Sequence, residues 1–263
     1  MSKVKIVVMS LPNSRRKPKI KKQLEDANFE FEFSDGISKD DLKIDFENLT
    51  VTDPKYTIRF NMKPDPIFSG FTFAESFGNR KWIKIGEIGT FFAHYNVWKK
   101  LIDDPDADAY MILEDDASFM FSRSDFDRFC SEVDLTDIDM VHCQKISPNF
   151  QKGKVGFENL PDHITPVAVD YNIWQNTEGL ATYIMTKQGA ERITKFWEQV
   201  GFFTPVDNEV TRAFGLQQMN MFYCPNYLQA GLNDEADYSE VHHVDIVGEL
   251  KDLGMLGSVV FKG

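Results

Sequence analysis

Hydrophobic and polar positions along the chain follow two spacings, one typical of strands and one typical of helices. Residues 4–9 form a short apolar run, which predicts a buried strand. After Pro18, which suits the first turn of a helix, Ile20 and Leu24 lie one helical turn apart. Residues 29–33 then alternate Phe with Glu, as in a half-exposed strand. This strand–helix–strand opening predicts a parallel, doubly wound sheet.

The pattern becomes irregular after the second strand and regular again near Glu87. Residues 37–81 are rich in Asp, Lys, Pro and Phe, and they predict irregular structure with short elements. From Glu87 to Asp103, aromatic and aliphatic residues recur at helical spacing, which predicts a helix with one strongly aromatic face. Thr186 is the predicted N-cap of another helix. Further strands are predicted at residues 109–113, 140–143, 180–185 and 219–224. No repeat or linker divides the chain, so residues 1–263 predict a single domain.

Composition and charge narrow the classes of partner. The 263 residues carry a formal net charge of −12, which argues against nucleic acid or an anionic membrane, because both need a positively charged face. No stretch approaches the roughly 20 apolar residues of a membrane helix, and the first residues lack the apolar core of a signal peptide. The expected location is therefore the cytoplasm. The three cysteines are widely spaced and match no metal or disulfide framework.

Three consecutive carboxylates, Glu114, Asp115 and Asp116, follow the apolar strand at residues 109–113. Close like charges repel and raise one another's pKa unless a cation lies among them. Mg²⁺ or Mn²⁺ would supply that cation and would also bridge diphosphate oxygens. In an extended chain, Glu114 and Asp116 share one side and Asp115 faces the other, at the edge where α/β sheets bind ligands. We therefore predict Glu114 and Asp116 as metal ligands, with a solvated acidic turn as the alternative.

The residues around this cluster resemble a known family. Gly86-Glu87-Ile88-Gly89, His94, Trp98 and Leu113-Glu114-Asp115-Asp116 are similar to the central signature of glycosyltransferase family 25. That family includes lipooligosaccharide galactosyltransferases and procollagen hydroxylysine galactosyltransferases. Further matches lie at Ser10-Leu11-Pro12, Arg15, Arg16, Asp35-Gly36, residues 183–190 and Pro205-Val206-Asp207.

The resemblance implies a GT-A fold, in which a single Rossmann-like domain has a mixed central sheet. It also implies a UDP-sugar donor, most often UDP-galactose, and inverting transfer of a hexose (galactose or glucose) to a hydroxyl group. The expected cofactor is Mn²⁺ or Mg²⁺. The expected acceptor is either hydroxylysine in a collagen-like protein or a lipooligosaccharide or other glycan. The acidic composition favours the soluble hydroxylysyl acceptor, since enzymes at membrane surfaces usually carry a basic face.

Donor-binding candidates lie where the predicted strands end. Asp35 is placed to accept hydrogen bonds from ribose or uracil, although a plain Asp-Gly turn would explain it as well. Arg15 and Arg16 could reach the uridine or the diphosphate. Asp115 is a further donor-binding candidate. The resemblance adds Glu87 as a contact of the donor sugar, where a helix N-terminus would favour an acidic residue in any case.

Candidates for the base and for a third metal ligand lie late in the chain. Inverting transfer needs a base beside the acceptor hydroxyl, and Asp207, in a predicted loop, is the candidate. Glu209 is its rival, and an aspartate that caps the next helix is the structural alternative. His242, beside His243, could supply a third metal ligand as C-terminal histidines do in some GT-A enzymes, although a surface histidine pair would look the same. His94, on an aromatic helix face, is more typical of a core histidine than of a ligand.

Two other functions fit parts of the sequence. A sugar nucleotidyltransferase would use a similar sheet and metal, but a glycine-rich loop should grip its triphosphate, and residues 10–17 contain no glycine. A non-catalytic domain that binds a glycan or stabilises a partner enzyme would be expected to lose the acidic pair, yet Glu114 and Asp116 are present. Hydrolysis of the donor with added Mn²⁺ would separate the three.

Overall fold

The helices and strands of the computed structural model lie in residues 2–45, 47–60, 85–143, 162–167, 179–202 and 204–232, which are the residues it describes. The helices are α1 (Lys17–Asp26), α2 (Ile85–Asp103), α3 (Arg123–Glu132), α4 (Lys187–Val200) and α5 (Val206–Gln217). The strands are β1 (Val4–Ser10), β2 (Phe31–Asp35), β3 (Lys43–Asp45), β4 (Thr50–Thr52), β5 (Thr57–Arg59), β6 (Ala109–Glu114), β7 (Ala117–Phe119), β8 (Met140–His142), β9 (Thr165–Pro166), β10 (Thr182–Thr186), β11 (Met221–Tyr223) and β12 (Ala230–Leu232).

Seven of these strands form a central sheet in the order β2-β1-β6-β10-β8-β11-β9. β1 pairs in parallel with both β2 and β6, as the strand–helix–strand opening predicts. β10 runs antiparallel to β6 and β8, so the sheet is mixed and the predicted mixed α/β fold is confirmed. Because the chain leaves β1 toward β2 on one side and later returns as β6 on the other, the strand order reverses at β1. α/β sheets open a ligand-binding crevice at such a point, outside the carboxyl ends of the strands.

Side-chain alternation along β6 divides the core into two layers. Tyr110 and Ile112 pack on one face of the sheet with α2, α4 and α5. Met111 and Leu113 pack on the other face with α1 and α3. The strand is apolar throughout because both of its faces are covered. The same alternation directs Glu114 toward the side of α2.

Helix α2 is buried on more sides than one aromatic face would require. Ala93 and Val97 are buried together with the aromatic residues, so the predicted single apolar face was too narrow. Phe91 stacks on Phe202 with ring centroids 4.1 Å apart. On another side, Asn96 Nδ2 donates to Asp53 Oδ2 at 2.7 Å, which ties α2 to the β3–β4–β5 sheet. A helix held on several sides is a rigid platform for the residues it carries.

Several elements were not placed individually by the apolar pattern. β3, β4 and β5 form an antiparallel sheet within the segment expected to be irregular with short elements. α3 has two buried residues, Phe126 and Phe129, which are too few for a helical pattern. In α5, the polar residues Glu209 and Arg212 are buried beside an apolar stripe of Val206, Val210, Ala213 and Phe214. β3–β5 and α3 offer too few apolar positions for periodicity to detect, whereas the apolar spacing in α5 could have indicated a helix.

The predicted loop position of Asp207 is wrong. Asp207 is the second residue of α5, which begins at Val206 after Pro205 as its N-cap. Asp207 therefore lies in the first turn of a helix, where the exposed N–H groups favour a negative charge, but it is not the cap. Elsewhere, Thr186 Oγ1 accepts a hydrogen bond from the Gly189 N–H at 3.1 Å, which confirms the predicted cap of α4.

Among the helices of the described ranges, none combines the length and the apolar character that crossing a membrane would require.

Candidate active site

The carboxyl ends of β1, β2 and β6 meet at one edge of the sheet, and the acidic run lies there. β6 ends at Glu114, whose N–H donates to Ala181 O at 2.8 Å just before β10. Asp115 and Asp116 then form a turn, so the extended geometry expected across all three carboxylates stops at Glu114. The three side chains nevertheless stay close to one another, because the turn is tight and β7 begins directly after it.

Asp115 and Asp116 are held by residues that follow β1. Ser10 Oγ, at the end of that strand, donates to Asp115 Oδ2 at 2.8 Å. Arg16, at the start of α1, places Nε 3.0 Å from Asp115 Oδ1 and Nη1 2.9 Å from Asp116 Oδ2. One guanidinium thus pairs with two of the three carboxylates and offsets part of their mutual repulsion.

Asp116 and Glu114 retain negative charge that this guanidinium does not balance. Burial, and then the charge of Glu114, raise the pKa of Asp116 to about 7 despite the opposing effect of Arg16. Asp116 Oδ1 is buried and accepts no hydrogen bond from any described residue. A cation bound at this oxygen would relieve both the burial cost and the repulsion from Glu114.

A first cleft of about 230 Å³ opens over the ends of β1 and β2. Ser10, Leu11 and Arg16 line one side of it, and residues 36–40, which follow β2, line the other. The start of α2 closes the cleft with Gly86, Gly89, Thr90 and Ala93, and Glu114 and Asp115 form its floor. The cleft therefore occupies the crevice that the reversal of strand order at β1 creates.

A second cleft of about 260 Å³ adjoins the first, and Thr90 and Glu114 line both. Its wall includes residues 179–181 before β10 and residues 205–207 at the start of α5. Among the described residues that line it, the charged ones are all carboxylates: Glu87, Glu114, Asp116 and Asp207. The two clefts, together called the groove, meet at Thr90 and Glu114.

Asp207 reaches the second cleft from the first turn of α5. Its Oδ1 accepts from the Asn208 N–H at 2.8 Å, and its Oδ2 accepts from the Gly179 N–H at 3.4 Å. Burial raises the pKa of Asp207 against these two hydrogen bonds, and the charges of Glu114 and Glu87 raise it further. The Gly179 carbonyl accepts from His142 Nε2 at 3.0 Å, which helps to fix that backbone segment. Asp207 is thus a positioned carboxylate with a raised proton affinity.

Glu209, the rival of Asp207, has a different environment. It is fully buried, and its Oε1 accepts from the Thr204 N–H at 2.9 Å. Its Oε2 lies 2.7 Å from Nη2 of Arg212, which also donates to Gly201 O at 2.7 Å. Glu209 therefore holds the segment before α5 directly at Thr204 and through Arg212 at Gly201. Glu209 lines neither cleft among the described residues.

The remaining predicted site residues are divided between the clefts and the surface. Glu87 lies in the first turn of α2 and lines the second cleft. Asp35 ends β2 and is exposed, while the residues after it line the first cleft. Arg15 is also exposed, whereas its neighbour Arg16 lines that cleft. His242, proposed with His243 as a source of a third metal ligand, lies outside the described residues.

The sequence was compared with models of known protein families. The model of glycosyltransferase family 25, described as an LPS biosynthesis protein family, matches residues 3–210. The chain belongs to glycosyltransferase family 25. This membership confirms the predicted family, and it makes the protein a glycosyltransferase by class. The match includes the acidic run and Asp207, and it ends before His242. None of the curated proteins compared with the chain matches it.

Solved structures show distant likenesses to this family 25 chain. One is A197 from STIV, with 10% identity, a TM-score of 0.40, and coverage of 92% of this chain and 98% of that one. Another is a glycosyltransferase involved in the glycosylation of the major capsid of PBCV-1, with 6% identity, a TM-score of 0.41, and coverage of 96% and 99%. A third is CMP:2-keto-3-deoxy-manno-octonic acid synthetase complexed with CTP, with 15% identity, a TM-score of 0.39, and coverage of 97% and 98%. At these TM-scores the likenesses have no bearing on activity.

Two acidic residues of this family 25 chain, Glu114 and Asp116, suit part of the ligand set of a divalent ion. Within the described residues, no three His, Cys, Asp or Glu side chains come together as a complete metal site. Glu114 and Asp116 do line one cleft, and Asp116 Oδ1 is buried without a hydrogen-bond donor among those residues. Mg²⁺ is commonly bound by one or two carboxylates together with substrate phosphates. The pair therefore suits an ion whose ligand set a diphosphate completes.

Some residues of the groove were missed by reading the sequence. Ser10, Thr90 and residues 38–40 all line the first cleft, and none of them was a candidate. The rule that α/β sheets bind ligands at the carboxyl ends of their strands could have indicated Ser10 and the segment after β2. Thr90 gives no such signal, because its position depends on how α2 packs across the sheet.

Proposed function

We propose that this family 25 protein transfers a hexose, galactose or glucose, from a UDP-sugar to a hydroxyl group of an acceptor, with inversion at the anomeric carbon. The observation that carries the proposal is the junction of two clefts at Glu114. Arg16 lies in one cleft and Asp207 in the other. A nucleotide in the first cleft would present its sugar toward the second, where an acceptor hydroxyl can meet it.

The first cleft has the features that a nucleoside diphosphate requires. Arg16 and Lys39 supply positive charge, and Leu11 and Ile37 supply apolar surface for a base. The N-terminal turn of α2 borders the cleft, and helix N-termini favour phosphate groups. Glu114 and Asp116 would hold Mn²⁺ or Mg²⁺ together with the diphosphate. When bound, the ion would supply positive charge that stabilises the leaving diphosphate.

The proposed reaction is a single displacement. The acceptor oxygen attacks the anomeric carbon and forms the new C–O bond, while the bond from that carbon to the diphosphate oxygen breaks. UDP leaves with the bonding electron pair, beside Arg16. Asp207 takes the proton of the acceptor hydroxyl, and its raised pKa brings its proton affinity closer to what a general base needs near neutral pH.

The charge of the second cleft favours a particular class of acceptor. The charged residues that line it, among those the structure describes, are all carboxylates. They would repel a phosphorylated or carboxylated acceptor and attract one that carries an amine. Of the two acceptors that the sequence leaves open, this charge favours the hydroxylysyl side chain, whose ammonium lies next to its hydroxyl. The family description points instead to lipopolysaccharide, so both acceptors belong in the assay.

Transfer assays on the purified protein test the proposal. We expect transfer from UDP-galactose or UDP-glucose, with added Mn²⁺, to a hydroxylysine-containing collagen peptide in preference to a lipooligosaccharide. Asp116→Ala should abolish this transfer and leave the circular dichroism spectrum unchanged, because Arg16 keeps its partner Asp115. The exposed Glu191→Ala is the matched control and should transfer normally.

Three outcomes would contradict parts of the proposal. Normal transfer by Asp116→Ala, or loss of its fold, would remove Asp116 from the metal site. Preference for the lipooligosaccharide would overturn the acceptor class. Binding of UDP-sugars without hydrolysis or transfer to any acceptor would favour the non-catalytic, glycan-binding alternative.

A further inference from the structure

Three buried side chains connect the hydrophobic core to Glu114. Trp98, Tyr183 and His94 are each fully buried on the α2 face of the sheet. Trp98 Nε1 donates to Tyr183 Oη at 2.9 Å, and His94 Nδ1 lies 2.7 Å from the same oxygen. His94 Nε2 lies 3.1 Å from Glu114 Oε1. The polar atoms form an unbroken chain that ends where the two clefts meet.

The chemistry of these groups favours one direction for each hydrogen bond. The indole N–H of Trp98 can only donate, and an ionised carboxylate can only accept. Tyr183 accepts from Trp98, so its single proton is available for His94 Nδ1. Burial holds the pKa of Tyr183 well above its usual range, which keeps that proton on the oxygen. Nδ1 is then an acceptor, and Nε2 carries the N–H that is donated to Glu114.

We infer that Trp98, Tyr183 and His94 are positioning residues that hold Oε1 of Glu114 and leave its other oxygen, Oε2, for a metal ion that would bind the diphosphate of the donor. The role of Oε2 rests on the proposed function. The direction of the hydrogen bonds and the hold on Glu114 do not, because they follow from contacts within the protein alone.

This positioning role gives a reason for a histidine inside an aromatic helix face. The sheet fixes the backbone of Glu114 through β1 and through the Ala181 carbonyl, but its partly exposed side chain could still rotate. A fixed donor on the buried helix α2 limits that rotation. Ligands held by such an outer partner keep one orientation, and removal of the partner typically costs about 10–100-fold in metal affinity or activity.

Nuclear magnetic resonance tests the positioning chain without any ligand. In protein labelled with ¹⁵N-histidine, the His94 signals are those that His94→Phe removes, and we expect them to show the Nε2–H tautomer. In Tyr183→Phe, which lacks the hydroxyl that donates to Nδ1, His94 should no longer be held in the Nε2–H tautomer.

The carboxyl group of Glu114 gives a second readout. In protein labelled with ¹³C-glutamate, the carboxyl signal of Glu114, identified through Glu114→Gln, should shift in His94→Phe. His163→Gln, at an exposed histidine outside both clefts, should leave it in place. An Nδ1–H tautomer, or an unmoved Glu114 signal, overturns the inference.

Binding of UDP in the presence of Mn²⁺ tests the consequence for the ligand. His94→Phe should weaken it about 10–100-fold, and His94→Gln, whose amide can still donate to Glu114, should recover most of the loss. If the wild type binds UDP with Mn²⁺ and His94→Phe binds it equally well, the inference is wrong and the proposed function stands. If the wild type does not bind UDP with Mn²⁺, the proposed function fails, and the resonance experiments still decide whether His94 holds Glu114.

Discussion

Asp207 and Glu209 lie two positions apart in the first turn of α5, and their carboxylates have different surroundings. Asp207 lines the second cleft and accepts hydrogen bonds from backbone N–H groups. Glu209 pairs with Arg212 inside the protein. An α-helix turns about 100° per residue, since it has roughly 3.6 residues per turn, and two neighbouring acids can therefore face a cleft and a core. Asp207 is therefore the candidate base, whereas Glu209 has a structural role.

Replacing Asp207 with asparagine should lower kcat by roughly 10²–10⁴-fold, because the amide cannot take the acceptor's proton. UDP affinity should hardly change, since the first cleft, which we propose for the nucleotide, lies on the other side of Glu114. The pKa of Asp207 is raised by burial, and only its ionised form accepts a proton. Wild-type kcat should therefore fall as pH is lowered through a value above the roughly 3.9 of free aspartate. Turnover measured against pH, with calorimetry of UDP binding, checks both points. An acid limb that persists in Asp207→Asn would assign the base elsewhere.

Replacing Glu209 with alanine should destabilise the protein. The change leaves the buried guanidinium of Arg212 without its carboxylate, and breaking such a pair costs about 3–5 kcal/mol. Chemical denaturation monitored by tryptophan fluorescence measures the free energy of unfolding, with the exposed Glu191→Ala as the control. If Glu209→Ala kept its stability and lost kcat instead, Glu209 would be the base.

At the scale of elements, two glycines let helices approach neighbouring backbone. A Cβ atom at Gly89 of α2 would lie 2.5 Å from Ile37 O, beside the first cleft. A Cβ atom at Gly189 of α4 would lie 2.1 Å from Asp139 O. Gly189 follows β10, which runs antiparallel to β6 and so ends at the opposite edge of the sheet. Both glycines thus face a backbone carbonyl, but only Gly89 lies beside a cleft.

Gly89→Ala and Gly189→Ala should each lower the free energy of unfolding by roughly 1–3 kcal/mol, the usual cost of overpacking. That cost outweighs the roughly 0.5–1 kcal/mol that alanine gains over glycine within a helix. Only Gly89→Ala should also weaken UDP binding, by about tenfold, because it pushes the segment after β2 away from α2. Denaturation and calorimetry on the two variants separate the effects. An equal loss of UDP affinity in Gly189→Ala would mean that instability, not cleft geometry, causes it.

At the scale of the whole molecule, the proposed function requires a strongly acidic protein to bind an anionic nucleotide. The net charge is −12, and three carboxylates lie at the floor of the groove with Arg16. Diphosphate placed beside them would be repelled unless a divalent ion lay between. We therefore expect UDP affinity to depend on the metal more than on the protein's few basic groups.

UDP should raise the melting temperature only when Mn²⁺ or Mg²⁺ is present. A ligand at 100 times its Kd stabilises the folded state by about 2.7 kcal/mol, which is several degrees for a protein of this size. Thermal melts with UDP, with UDP and Mn²⁺, and with UDP and excess chelator measure this dependence. If calorimetry gave equally tight UDP binding in excess chelator, UDP binding would not depend on a metal ion.

Much of the fold and part of the site could be predicted from local sequence. The apolar runs at β1 and β6 indicate buried strands because both faces of these strands are covered. The acidic run indicates the edge of the sheet because it follows such a strand directly. Short strands such as β3–β5 could not be placed one by one, since their stability comes from tertiary contacts and not from an apolar repeat. The helix α5 does carry an apolar repeat, at Val206, Val210, Ala213 and Phe214.

The sequence by itself determined the family, the strand that carries Glu114 and the candidate status of Asp207, because these depend on neighbouring residues. Tertiary structure decided that Arg16 contacts the acidic turn and that Glu209 is internal. It also decided that His94 meets Tyr183, 89 positions away, beside Glu114. The physical reason is that β10 inserts antiparallel next to β6 while α2 crosses the same face. Contacts across so long a separation depend on how strands pair and helices pack, and no local spacing encodes them.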